Sequence, residues 1–185
     1  MSDVLVIYAT VEGQSRKIAE HVCDHTVRLG RNARVLDAAN TPHDLALSTY
    51  DAVLVVAPIH MGRHHQAAVH FARDNAPRLQ KGGAALISVS MHAAELEPGD
   101  LDECRLYVDE LAAETGWIPE ATYYAAGALK FATYDFFKRW MMRRIVADKG
   151  LEKEQANRDE LEFTDWRALE MFVEGFLRKH PRTEN

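Results

Sequence analysis

Apolar and polar positions along this chain follow the periods of strands and helices in turn. Val4 to Tyr8 is a continuous apolar run rich in β-branched residues, which predicts a buried strand. Ser15 to Leu29 places apolar side chains at helical spacing and stops at Gly30, which predicts an amphipathic helix. Further strands are predicted at Arg34–Asp37, Asp51–Ala57, Ala84–Val89 and Thr122–Ala126, further helices at His65–Leu79, Pro98–Gly116 and from Thr164–Asp165 onward, and a short helix or irregular turn at Pro42–Leu47.

The loop after the first strand has the features of a phosphate site. Thr10, Gly13 and Ser15 precede or open a predicted helix, where free backbone N–H groups and the helix dipole favour an anion. The loop lacks the lysine of a Walker A loop and the additional glycines of a dinucleotide fingerprint. Its pattern Thr-x-Glu-Gly-x-Ser resembles the FMN-phosphate loop of flavodoxins. The alternative is an ordinary strand–turn–helix in which Ser15 caps the helix.

Five strands interleaved with helices predict an α/β protein with a doubly wound parallel sheet. A flavodoxin-like sandwich has the strand order 2-1-3-4-5, and its ligand site lies at the carboxyl ends of the strands, where that order reverses. The loops after strands 1, 3 and 4 are therefore expected to hold FMN. Their residues are Thr10, Val11, Glu12, Gly13, Gln14 and Ser15, then Ala57, Pro58, Ile59, His60, Met61 and Gly62, and finally Ser90, Met91 and His92.

The two loops expected to hold the flavin ring contain no Trp or Tyr. Ile and Met side chains can still pack on the ring, and a ring without an aromatic sandwich leaves a face free for a substrate. This favours an enzyme over an electron carrier. His60 and His92 are interpreted as solvated loop residues or flavin-edge contacts, which can tune flavin protonation. No metal site is expected, because the neighbouring histidines lack cysteines or carboxylates at ligand spacing.

Composition narrows the class of protein. The net charge of -6 does not favour nucleic acid as a partner. The two cysteines, Cys23 and Cys104, fall in apolar helical patterns and are expected to be small buried hydrophobic residues. The first strand starts by residue 4, so we expect no signal peptide, and no apolar run approaches the length of a membrane span. A cytoplasmic protein is therefore expected.

A long segment separates strand 5 from the last helix, so the predicted single domain of residues 1–185 carries an insertion at about 130–163. Between Lys130 and Lys149 there are six basic and two acidic residues, interspersed with large apolar side chains. This part is +4 and leaves the rest of the chain near -10. Three interpretations remain open: a helix packed on the sheet, an interfacial helix on anionic lipid, or a substrate wall that meets carboxylates.

An ordered set of motifs resembles one family. The chain contains Tyr-Ala-Thr-x-Glu-Gly-Gln-Ser, Pro-Ile-His-Met-Gly, Ala-Gly-Ala-Leu-Lys-Phe followed by the basic aromatic insertion, and Thr-Asp-Trp. This set resembles the flavodoxin-type menaquinone-dependent protoporphyrinogen IX dehydrogenase family. The chain departs from the family's pattern at Met61, where an aromatic residue is frequent, and at Ser90, where asparagine is common.

The resemblance implies FMN as cofactor, protoporphyrinogen IX as substrate, and menaquinone or ubiquinone as acceptor in heme biosynthesis. It also implies peripheral contact with the inner membrane, for which residues 131–149 are the candidates. Arg63, Lys130, Arg139 and Arg143 are the cations expected to meet the substrate propionates. No acid or base is assigned, and the oligomeric state stays open. The alternatives are a flavodoxin-type electron carrier to a protein partner and an NAD(P)H-dependent quinone reductase.

Overall fold

The computed structural model describes residues 3–42, 44–130 and 160–182, in which strands and helices alternate. The strands are β1 (Val4–Tyr8), β2 (Ala33–Asp37), β3 (Ala52–His60), β4 (Arg63–His64), β5 (Ala84–Ser90), β6 (Ala121–Ala126), β7 (Ala128–Lys130) and β8 (Glu160–Glu162). The helices are α1 (Gln14–Arg28), α2 (Gln66–Asp74), α3 (Ala76–Leu79), α4 (Asp100–Thr115) and α5 (Trp166–Lys179). Short 3₁₀ turns lie at Ala38–Asn40, Leu47–Thr49 and His92–Ala94.

The parallel strands have the spatial order β2-β1-β3-β5-β6, which confirms the predicted fold class and strand order. Two features were not predicted. The two-residue strand β4 pairs antiparallel with the end of β3, so the sheet has six strands rather than five. Strands β7 and β8 form a separate antiparallel pair at the two ends of the insertion. The described chain therefore leaves the central sheet after β6 and forms this separate strand pair before α5.

Helices cover both faces of the sheet, since successive strand residues point to opposite sides. Strand side chains on one face pack against α2, α4 and Trp117, while those on the other face pack against α1 and α5. The central strands are buried on both faces, as expected for apolar runs in a parallel sheet. The first face includes Leu5, Ile7, Val53, Val55, Leu86, Ala68, Phe71 and Leu111, and the second includes Val4, Val6, Leu54, Ile87, Ile18, Val22, Leu169 and Val173.

One predicted helix is divided in two in the structure. The predicted helix at 65–79 is divided at Asn75, because Pro77 cannot donate a backbone hydrogen bond to the carbonyl of the preceding turn. A turn lies within the predicted range 42–47, where the Leu45 N–H donates to the Pro42 carbonyl oxygen at 3.2 Å, and a 3₁₀ turn follows at Leu47–Thr49. Helix α1 is capped by Gly13, in the left-handed conformation with φ 99°, so the alternative in which Ser15 caps the helix is not observed. The last helix starts as expected, with Asp165 accepting the backbone N–H of Ala168.

Candidate functional site

A cleft of about 230 Å³ opens at the carboxyl ends of β1, β3, β5 and β6. It lies at the point where the strand order reverses, as expected for a doubly wound sheet. Most of its lining comes from the loop after β1 and from the carboxyl ends of β3 and β5. The lining residues are Thr10, Val11, Glu12, Gln14, Ser15, Pro58, Ile59, His60, Val89, Ser90, Met91, Gly127 and Ala128.

The first loop presents hydrogen-bond donors to one end of this cleft. The Thr10 hydroxyl oxygen accepts the Gly13 N–H at 2.9 Å, which leaves its own hydrogen free to donate to a ligand. Gly13 adopts φ 99°, and a Cβ added to it would have no atom within 4 Å, so the backbone turns sharply into α1 without crowding. The N–H groups of the first turn of α1 and the Ser15 hydroxyl complete the donor set, whereas the Gln14 side-chain amide donates away from the cleft, to Glu162 and Thr164.

The positive electrostatic potential at this end of the cleft comes from backbone dipoles and not from cationic side chains. No lysine or arginine is among the residues that line the cleft in the described part of the chain. A phosphate group fits such a site, because the helix dipole and oriented N–H groups stabilise an anion without a side-chain cation. The donor set therefore fits the phosphate that the sequence predicts there.

The other end of the cleft is flat and largely apolar. Pro58, Ile59 and His60 come from the end of β3, and Met91 follows β5. A Cβ at Gly127 would lie 3.7 Å from the Met91 Sδ, an ordinary van der Waals contact, so Gly127 lies directly beside this wall. Neither Trp nor Tyr lines the cleft among the described residues. The side chains at this end are therefore those of a proline, an isoleucine, a histidine and a methionine.

Ser90 lines the cleft and also contacts groups in the protein interior. Its hydroxyl oxygen accepts the Ala93 N–H at 3.2 Å and lies 3.5 Å from the Cys104 Sγ. Burial raises the pKa of the Cys104 thiol, an effect that the contact with Ser90 only partly opposes. The thiol is therefore protonated and behaves as a packing group beneath the cleft.

Some predicted site residues lie outside the cleft lining. Ala57 is fully buried in the core. Met61 and Gly62 form the tight turn between β3 and β4, with φ 51° and 79°, and the Met61 side chain is 89% exposed. The ring of His92 packs on Tyr107 at a centroid distance of 5.7 Å.

The predicted substrate residue Arg63 is not in the cleft. It lines a separate cavity of about 460 Å³ between β4, α2 and α4, together with His64 and Tyr107. Lys130 is the last residue of β7. Arg139 and Arg143 lie outside the described residues. The structure therefore brings together the residues of the three predicted loops, whereas Arg63 belongs to a different cavity.

His64 is held as a neutral imidazole next to that second cavity. It is 4% exposed, and its Nε2 lies 3.0 Å from the Ser88 Oγ. Burial lowers the pKa of His64 to about 4, although the backbone of Tyr107 opposes the shift. His64 therefore links β4 to β5 as an uncharged hydrogen-bonding group at neutral pH.

Sequence reasoning missed Val89, Gly127 and Ala128 as lining residues. Gly127 and Ala128 follow β6, whose carboxyl end is at the same sheet edge as the three predicted loops. Their position directly after β6 could therefore have predicted that they lie near the cleft. The pairing of β7 with β8 could not be predicted in this way, because it joins β7 to residues about thirty positions later in the chain.

A family model described as a flavodoxin domain matches residues 5–156. The chain belongs to this family. It is similar to the protoporphyrinogen IX dehydrogenase [quinone] of Escherichia coli strain K12, with 29% identity over 91% of both chains. It is also similar to the protein of the same name from Leishmania major, with 27% identity over 93% of this chain and 73% of that protein.

The structural comparison supports the same fold. A short-chain flavodoxin associated with a non-canonical PDU bacterial microcompartment matches 98% of this chain and 100% of its own, with a TM-score of 0.57 and 16% identity. FMN is the cofactor of this flavodoxin-domain protein, and the donor set of the Thr10 and Ser15 hydroxyls and the α1 N-terminus fits its phosphate. No helix in the described ranges is both long and apolar enough to cross a membrane.

Proposed function

We propose that this protein is an FMN-dependent dehydrogenase that oxidises protoporphyrinogen IX to protoporphyrin IX and passes the electrons to a membrane quinone. The observation that carries this proposal is the extent of the match to protoporphyrinogen IX dehydrogenase [quinone]. It covers 91% of both chains and therefore reaches beyond the cofactor-binding loops. The cleft geometry agrees, because its ring end lacks, among the described residues, the aromatic side chains that would enclose both ring faces.

The phosphate of the cofactor is assigned to the first loop. The Thr10 and Ser15 hydroxyls and the first backbone N–H groups of α1, including that of Gln14, would hold it. Pro58, Ile59, His60, Ser90 and Met91 would hold the ring. When bound, FMN supplies a ring that accepts a hydride from a substrate and then gives up electrons. These residues bind and orient the ring and exclude water from one of its faces.

The apolar mouth of the cleft suits an apolar macrocycle. Val11 is 48% exposed and Met61 is 89% exposed, although both are large apolar side chains. Val11 lines the cleft, and Met61 follows the lining residue His60 directly. Burying these side chains under a bound substrate is favourable by about 25 cal/mol for each Å² of apolar surface. His60 is the exposed histidine on this wall.

The propionates of the substrate are assigned to cations of the insertion. Lys130, Arg139 and Arg143 are the candidates, and Arg63 is set aside because it lines the other cavity. We further propose that the protein is cytoplasmic and that residues 131–149 bring it to the inner membrane, where the quinone is. The net charge of +4 from Lys130 to Lys149 supports this role, because anionic lipid attracts basic segments. Charge attraction of this kind weakens as salt rises.

The test of this function uses the purified FMN-loaded protein under anaerobic conditions. Protoporphyrinogen IX and a menaquinone analogue should give porphyrin fluorescence that rises faster than in controls without protein or without quinone. Turnover no faster than in these controls would refute the proposal. Rapid bleaching of the flavin by NADPH would instead indicate a quinone reductase.

The contribution of the insertion is tested by deleting residues 131–149. We expect the deletion to retain FMN and to lose quinone-coupled turnover on vesicles that contain anionic lipid. Turnover equal to that of the full chain would refute the membrane role.

A further inference from the structure

A group of polar contacts joins the first turn of α1 to the strand β8 and the residues that follow it. The Gln14 Nε2 donates to the Glu162 Oε1 and to the Thr164 Oγ1, each at 2.9 Å. The Lys17 ammonium lies 3.0 and 2.8 Å from the two Glu162 oxygens. These three contacts span about 145 to 150 positions in the sequence. We call this group the Gln14–Glu162 clamp, and its members are Gln14, Lys17, Glu162 and Thr164.

Thr164 connects the clamp to the central sheet. Its hydroxyl accepts from Gln14 and donates to the Ala126 carbonyl oxygen at 2.7 Å, at the end of β6. Thr164 is buried, and its hydroxyl makes one hydrogen bond as acceptor and one as donor to other groups of the protein. The Phe163 N–H also donates to the Gly127 carbonyl oxygen at 3.1 Å. The residue after β6 and the residues before α5 are thereby fixed to each other.

The clamp also joins two walls of the cleft. Gln14 lines the cleft as the first residue of α1, and Gly127 and Ala128 line it from the hairpin side. Ala128 is paired with Glu162 in the β7–β8 hairpin. The Glu162 carboxylate, which accepts a hydrogen bond from Gln14, therefore belongs to the residue of β8 that is paired with the lining residue Ala128.

The strength of the clamp comes from hydrogen bonds more than from the ion pair. The side chains of Lys17 and Glu162 are 57% and 29% exposed, and such ion pairs contribute little. Partial burial raises the pKa of Glu162, but the hydrogen bonds from Lys17 and Gln14 outweigh it and lower the pKa overall. Glu162 is therefore a charged acceptor at neutral pH, and hydrogen bonds to charged groups are the stronger kind.

We propose that Glu162 and Thr164 are positioning residues for the cofactor phosphate. By holding the Gln14 side chain and the first turn of α1, they set the preference for a flavin that carries a phosphate over one that does not. The inference rests on the proposed FMN site and adds to it two residues that belong to none of its loops. It also assigns a role to Thr164, the first residue of the Thr-Asp-Trp motif.

The test compares FMN with riboflavin, which has the same ring and no phosphate. Flavin fluorescence quenching on titration of the apoprotein gives both dissociation constants. Glu162→Ala and Thr164→Val should each raise the Kd for FMN about fivefold, as expected for the loss of one hydrogen bond of about 1 kcal/mol. The Kd for riboflavin should change less than about twofold on the same scale. Glu162→Gln, which keeps an acceptor oxygen for Gln14, should recover most of the affinity for FMN.

A matched control exists on the same helix. Glu20 pairs with Arg16 at 2.8 Å on the exposed side of α1 and does not line the cleft, so Glu20→Ala should leave both dissociation constants unchanged. Urea unfolding of each variant establishes that it is folded. Equal weakening of FMN and riboflavin would overturn the inference in favour of a structural role, as would an unchanged FMN affinity. If the unmodified protein failed to bind FMN, the proposed function would fail as well.

Discussion

Gly13 offers a quantitative test of the phosphate loop. It caps α1 with φ 99° and ψ -15°, a conformation that L-amino acids rarely adopt. A Cβ added there would meet nothing within 4 Å, so the effect of Gly13→Ala comes from backbone strain and not from a clash. The left-handed conformation costs an alanine about 1–2 kcal/mol. The stiffer unfolded chain offsets up to about 1 kcal/mol of this, so we expect a net destabilisation of about 1 kcal/mol.

The strain should have a larger effect on cofactor binding than on folding. The loop relieves it by rotating the Gly13 peptide, which displaces the first N–H groups of α1 from the cleft. One lost hydrogen bond to a charged phosphate is worth about 1.5 kcal/mol or more, so the Kd for FMN should rise at least about tenfold.

Gly99 provides a matched control for this variant. It caps α4 with φ 94° and ψ -9°, it also has open space around its Cβ position, and it does not line the cleft. Gly99→Ala should lose a similar amount of stability in urea unfolding and keep the FMN affinity of the unmodified protein. An unchanged FMN affinity in Gly13→Ala, or the same loss in both variants, would refute the reasoning.

Three further predictions concern stability. The folded-state pKa of His64 of about 4 lies below its ordinary value of 6.5, so the unfolded chain binds more protons between these values and stability should fall by up to about 3 kcal/mol as pH drops through this window. Urea midpoints at several pH values should show a shallower fall for His64→Gln, and equal slopes would contradict this. Asp165→Ala removes the side-chain cap of α5 and should cost about 1 kcal/mol in urea unfolding, which Asp165→Asn should largely restore. Gly83→Ala puts a Cβ 2.7 Å from the Asp51 carbonyl oxygen and should cost about 3 kcal/mol, clearly more than Gly82→Ala, whose nearest atom is 3.6 Å away; thermal or urea unfolding decides between them.

The local pattern of the chain predicted most of the sheet and the three loops of the cleft. Val4–Tyr8 and the other parallel strands are long apolar runs, and their alternation with helices leaves few topologies. The break at Asn75 was missed although Pro77 signals it, because the apolar spacing of the following residues still fits a helix. Strand β4 has only two residues and therefore carries no periodic signal.

Features that depend on distant pairing were beyond local reasoning. The β7–β8 hairpin and the contact between Gln14 and Glu162 join residues far apart in the sequence. The position of Arg63 depends on how the turn at Met61 and Gly62 directs β4, and sequence spacing does not determine that direction. Arg63 is close in sequence to residues that line the cleft, but in the fold it lines another cavity.

The β7–β8 pair also affects how the sequence between these two strands can change during evolution. Ala128 to Lys130 pair with Glu160 to Glu162, so the two ends of the intervening segment lie next to each other, outside the central sheet. The entropy cost of closing the intervening segment grows only with the logarithm of its length, about 0.6 kcal/mol for each doubling. Homologues can therefore lengthen, shorten or rewrite this segment while the register of the core strands stays unchanged. The same position is a natural place to graft a reporter or a different substrate-recognition element onto a flavodoxin domain.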